Sequence, residues 1–188
     1  MKKWMVLVLC AVLLAGLITG AYFLYNKFGA DYAPENIATE APPDSENGER
    51  MKAPAFTVTD KNGNKVRLSN FAGKPVVLNL WASWCGPCKA EMPAFDAAYK
   101  ELGDDICFMM VNLTDGRSET VATAQKFLDT VDYEFPVYFD TELEVAMNYS
   151  IGSIPVTYFI DSNGYLVAYA NGAMTEDMLA QGLGMIKK

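Results

Sequence analysis

Apolar runs of strand length alternate with segments of helical period along residues 51–188. That alternation confines this part of the chain to an α/β sheet architecture. Val76-Val77-Leu78-Asn79-Leu80-Trp81 is almost continuously apolar, the pattern of a strand covered on both faces. Ile106 to Val111 repeats it, and Val137–Phe139, Val156–Ile160 and Leu166–Ala170 follow as shorter runs. Phe56–Asp60 and Lys65–Leu68 alternate in and out around Asn62-Gly63, a hairpin signal, and Asn163-Gly164 predicts a second hairpin. Between these runs, Met92, Phe95, Ala98, Tyr99 and Leu102 recur at intervals of three and four. Val121, Ala124, Phe127, Leu128 and Val131 do the same, as do Met178, Leu179, Leu183 and Ile186 after Thr175, with acids in the first turn. Leu143 to Tyr149 predicts a short helix. The expected order is hairpin, β, α, β, α, β, α, hairpin, α. This means a sheet with helices on both faces and parallel neighbours wherever a helix connects two strands. These 138 residues are enough to bury one core.

The preceding residues are physically different. Trp4 to Tyr25 is a run of 22 residues without a charge. As a helix it would reach about 33 Å, enough to cross a hydrocarbon layer of about 30 Å. Trp4 at one end, and Tyr22 and Tyr25 at the other, suit interfacial depths. A cleavable signal peptide is the alternative, with Thr19-Gly20-Ala21 as its weak cleavage site, but the apolar run continues past it. Cys10 then reads as a small apolar residue of the span, because Leu9 before it is too bulky for a lipid-attachment signal. Net charge is +3 over residues 1–30, −5 over 31–50 and −6 over 51–188. Lys2 and Lys3 therefore place the N-terminus in the cytoplasm and the rest outside. Residues 31–50, acidic and with three prolines, read as a flexible tether between the anchor (residues 1–30) and the domain (51–188).

Composition removes several function classes. The chain of 188 residues carries a net charge of −8, which disfavours nucleic-acid binding. It has no histidine, which excludes His-dependent triads, His-ligated metals and Cys–His nucleophiles. Its four cysteines are too few for a disulfide scaffold of this size.

Two of those cysteines carry a chemical signal. Trp84-Cys85-Gly86-Pro87-Cys88 follows a predicted buried strand and opens a predicted helix. Unpaired N–H groups and the positive end of the helix dipole favour a thiolate there. Pro87 suits a first helical turn because it has no N–H to leave unpaired. Zinc would need four ligands, and the remaining cysteines are Cys10 in the apolar run and Cys107 in a strand, read as a buried apolar residue. A purely structural disulfide would close too short a loop to stabilise much. Dithiol redox chemistry is the strongest reading, with no metal and no cofactor beyond the Cys85–Cys88 pair. The paired thiols also leave no need for a peroxidase reading.

Trp81-Ala82-Ser83-Trp84-Cys85-Gly86-Pro87-Cys88, followed by Lys89-Ala90-Glu91-Met92-Pro93, resembles the active-site stretch of the thioredoxin superfamily, and in particular its membrane-anchored TlpA/ResA-like thiol-disulfide oxidoreductases. Tyr149 to Asp161, through Ile154-Pro155, resembles their second signature. The resemblance implies a thioredoxin-like fold: a central mixed sheet flanked by helices, with an N-terminal β-hairpin and a central βα insertion, preceded by one transmembrane helix. It implies that Cys85 attacks and Cys88 resolves. It also implies that Ile154 and a cis Pro155 present backbone to a substrate, alongside Trp84, Gly86 and Pro87. The alternative for Pro155 is an ordinary strand-entry proline. Glu91 would lie near the pair and handle a proton, or else sit solvated on a helix face. Asn79 replaces the buried carboxylate of thioredoxin itself, Lys89 is expected to be exposed, and Pro93 should kink the helix. Trp84 is expected beside Cys85 and Trp81 in the core.

The Gly86-Pro87 dipeptide resembles that of reducing thioredoxin, which lies about 150 mV below the oxidant DsbA. The expectation is therefore an extracytoplasmic reductase of disulfides in exported proteins such as apocytochrome c. Its electrons would come from a membrane donor of the CcdA/DsbD type. An oxidase or isomerase with the same site, or a non-catalytic assembly module, is the alternative.

Overall fold

The computed structural model describes residues 51–187, together with Trp4, Leu14, Gly16, Thr19 and Gly20, which have helical backbone. The expected anchor and tether otherwise lie outside the described residues, as does Cys10. No helix among the described residues is long and apolar enough to cross a membrane. The chain divides into two units, Met1–Ala33 and Pro34–Lys188, and the architecture below belongs to the second.

Seven strands form one sheet: β1 (Thr57–Asp60), β2 (Lys65–Arg67), β3 (Val76–Trp81), β4 (Cys107–Asn112), β5 (Val137–Phe139), β6 (Val156–Ile160) and β7 (Leu166–Asn171). Among the described residues four α-helices accompany them, α1 (Gly86–Leu102), α2 (Val121–Leu128), α3 (Glu144–Asn148) and α4 (Glu176–Ile186), with a short 3-10 helix at Leu68–Phe71. The strand order is β2-β1-β5-β4-β3-β6-β7. β3 runs parallel to β4, and β4 to β5, as their connecting helices require. The expected parallel neighbour fails at the third helix. β5 and β6, joined through α3, are not neighbours, and β6 instead pairs antiparallel with β3. The sheet is therefore mixed.

Both hairpins sit where turn chemistry puts them. Asp60 Oδ1 accepts the N–H groups of Asn62 and Asn64 at 2.8 Å each, and Gly63 takes φ +84°. Asp161 Oδ1 does the same for Asn163 and Tyr165, around Gly164 at φ +79°.

Alternate residues of the central strands feed two core layers. Val77 and Trp81 of β3 and Phe159 of β6 face one layer with Met92 and Phe95 of α1 and Leu179 and Leu183 of α4. Leu78, Leu80, Val156 and Tyr158 face the other, with Phe56 and Val145 of α3. Each fully buried large side chain contributes about 1.5–3 kcal/mol. Cys107 departs from expectation: at the first position of β4 it is only half-buried, beside the second layer.

Candidate active site

The site lies where β3 ends and α1 begins. The run from Val76 to Trp81 is buried throughout and holds the chain up to the redox motif. Cys85 caps α1 in an extended conformation (φ −77°, ψ 108°), and its Sγ accepts the Cys88 N–H at 3.2 Å. Gly86 and Pro87 fill the first helical positions and are exposed. This capping, rather than apolar period, starts the helix six residues before Met92. The helix then continues through Pro93 to Leu102.

Cys85 and Cys88 are joined in a disulfide. Cys85 is 5% exposed and Cys88 is fully buried. Trp84 is 59% exposed beside them, whereas Trp81 is in the core. Lys89 is exposed, its ammonium 5.7 Å from the centre of the Phe127 ring. The Ile154–Pro155 peptide bond is cis, and the Ile154 carbonyl oxygen lies 3.9 Å from Cys85 Sγ. β6 thus brings a second segment, 69 residues away in sequence, to the outer sulfur.

Glu91 is one helical turn past Cys88 on the same face, and only 3% of it is exposed. The solvated-face alternative is thereby removed. Asn79 Nδ2 donates to Glu91 Oε1 at 2.8 Å, and the Met174 N–H donates to Oε2 at 2.9 Å. Asn79 Nδ2 also donates to Thr157 Oγ1 at 2.9 Å, while Asn79 Oδ1 is buried with no partner. Burial pushes the Glu91 carboxyl up to about 7, against the opposing pull of the Met174 and Asn79 hydrogen bonds.

Sequence reasoning missed Glu119. Its carboxylate is 1% exposed; Oε2 accepts from Ser83 N at 3.0 Å and from Ser83 Oγ at 2.9 Å, tying down the turn that delivers Trp84 and Cys85. Oε1 accepts from Asn112 Nδ2 at 3.4 Å and Thr123 Oγ1 at 3.3 Å. The available signal was an acid directly before the Thr120 cap of α2, a position where acids are usually solvated.

A sheet of this topology with a disulfide at the head of α1 defines a thiol-disulfide oxidoreductase of thioredoxin-like fold. The chain belongs to the AhpC/TSA family, whose profile matches residues 50–169. It is 32% identical to the thiol-disulfide oxidoreductase ResA of Geobacillus kaustophilus, over 100% of this chain and 99% of that protein. It is 30% identical to ResA of Bacillus subtilis, over 99% and 96%. Among solved structures it is similar to the exposed lipoprotein thioredoxin of Streptococcus pneumoniae strain TIGR4. That likeness has a TM-score of 0.62 at 34% identity, over 69% of this chain and 98% of that one.

Proposed function

We propose that this enzyme is a membrane-tethered, extracytoplasmic reductase of disulfides in exported proteins, apocytochrome c among them. The observation that carries the reading is the asymmetry of the sulfurs: Cys85 at the rim against the Ile154 carbonyl, Cys88 fully buried one turn from Glu91. In the reduced protein the Cys85 thiolate attacks a client disulfide and expels one client sulfur as a thiolate. Cys88 loses its proton and displaces the second client sulfur from Cys85, closing the Cys85–Cys88 bond. Two electrons pass to the client. Glu91, held near neutrality by its burial, takes the Cys88 proton and returns it when the pair is reduced again. Trp84, Gly86 and Pro87 provide the exposed surface around the attacking sulfur, and Ile154 and Pro155 the backbone against which a client strand lies.

The uncharged run Trp4–Tyr25 supports the tether, and the lysines before it support the outside location. A membrane thiol carrier of the CcdA/DsbD type would restore the dithiol. Cys88→Ser traps the intermediate. The captured partners should be exported proteins with paired cysteines together with the membrane donor; capture of a DsbB-like oxidant alone would contradict the direction.

A further inference from the structure

Beside the redox site, the backbone of Gly152, Ser153 and Ile154 pairs with no other backbone, and its one polar contact among the described residues is that of the Ile154 carbonyl with Cys85 Sγ. Among the described residues none of its N–H or C=O groups makes a backbone hydrogen bond, while the neighbouring Ile151 N–H and Pro155 carbonyl are both engaged. Gly152 and Ser153 are exposed. One end of this free segment, at Ile154, touches Cys85 Sγ. The other end forms the rim of a cleft of about 390 Å³ walled by Tyr149, Ile151, Tyr158 and Tyr169. Tyr158 stands edge-on to Tyr149 at 4.9 Å and stacks on Tyr169 at 6.1 Å between ring centres. Among the described residues no charged side chain lines the cleft. Its polar groups are neutral and partly satisfied: Ser153 Oγ donates to Asn171 Oδ1 at 2.9 Å, and Tyr158 Oη to the Tyr149 carbonyl at 3.4 Å.

We propose that this cleft is a specificity subsite for an uncharged aromatic side chain of the client, two or three residues from the client cysteine that meets Cys85. The inference rests on the exchange reaction proposed above and adds the residue preference. A client segment joining the free backbone advances about 3.3 Å per residue, so two or three residues cover the length from Ile154 to the cleft rim. Strand addition gives affinity through main-chain bonds and leaves selectivity to side-chain pockets. An aromatic wall without charge accepts another aromatic ring and penalises a desolvated charge.

The test uses the full-length chain, pre-reduced, with synthetic peptides whose single cysteine carries a chromogenic thiol in disulfide linkage. Cys85 attacks the peptide sulfur, the chromophore leaves as a thiolate, and Cys88 then releases the peptide thiol as the protein disulfide closes. Chromophore release gives the second-order rate constant. With Tyr or Phe two or three residues from the cysteine, placed before it in one peptide set and after it in another, one set should exceed the rate of a Gly peptide by about tenfold, and Glu or Lys at the same position should give no gain. Ser150 is an exposed residue of the lining with φ +51°, a conformation that Asp and Asn tolerate. Ser150→Asp should erase the aromatic preference while leaving the Gly peptide rate unchanged, and Ser150→Asn should retain it. The same ranking should appear as Kd values for peptides carrying Ser in place of Cys, which reads the cleft even if exchange fails. Rates and affinities equal across the peptides, or a preference untouched by Ser150→Asp, overturn the subsite. Loss of exchange with the affinity ranking intact would overturn the reaction instead.

Discussion

Glu91 places an acid one helical turn from the buried Cys88, with two N–H donors and, among the described residues, no cation bonded to it. Its carboxyl rises from 4.5 to about 7. A folded-state value above the unfolded one means that the native state holds the proton more tightly. The associated stability is complete below about pH 4.5 and is lost as pH rises through about 7. The difference is worth about 3 kcal/mol. Glu91→Gln should remove this dependence, because Met174 N–H can bond the new carbonyl and the unpartnered Asn79 Oδ1 can meet the new amide after a flip. Urea unfolding of both proteins from pH 4.5 to 8.5 should show the variant gaining about 3 kcal/mol on wild type as pH rises; a constant gap would contradict the burial argument. Thiol alkylation of the reduced protein should label Cys85 first and leave Cys88 protected. Cys107, half-buried and pushed up to about 12 by burial against a weaker opposing influence of Lys74, should stay unlabelled at neutral pH. Labelling of Cys88 before Cys85 would reverse the assigned roles. The cysteine pair was legible because its chemistry is local to one strand–helix junction. Glu91 was half legible: an acid sharing the helix face of Met92 and Phe95 signals burial, but its partners Asn79 and Met174 lie 12 and 83 residues away. Glu119 was not legible, because Ser83 reaches it across 36 residues.

The fourth helix carries a contrast between two nearby glycines. A Cβ on Gly182 would overlap the Phe159 ring, so α4 approaches β6 through this position. Gly184, exposed on the same helix, has open space around its Cβ position. Gly182→Ala should destabilise by about 1–3 kcal/mol through overpacking, and Gly184→Ala should stabilise by about 0.5–1 kcal/mol through helix propensity. Chemical denaturation of the two variants checks the pair; equal effects would mean that α4 does not pack as described. The elements themselves were read well where burial dictates pattern: β3, β5 and β6 match their apolar runs residue for residue. The helix ends were read less well. α2 stops at Leu128, before the periodic Val131, because Asp129 and the next turn cap it. Strand direction was the larger gap. Apolar period does not encode whether β6 runs with or against β3, and the short α3 does not make β6 a neighbour of β5.

The molecule as a whole joins a thioredoxin-like enzyme to an apolar N-terminal run, and the proposed direction of electron flow depends on both. Outside the cytoplasm a reductant must hold its electrons more loosely than its clients do and be recharged through the membrane. A sequence with Gly86-Pro87 between its cysteines shares that dipeptide with thioredoxin, but burial, Glu91 and the Glu119 clamp also bear on the pair. A redox titration of Cys85–Cys88 in the full-length protein, against defined dithiol buffers, reads all of these together. The account predicts a potential close to that of thioredoxin, about −270 mV; a value near about −120 mV, that of DsbA, would make the protein an oxidant and contradict it.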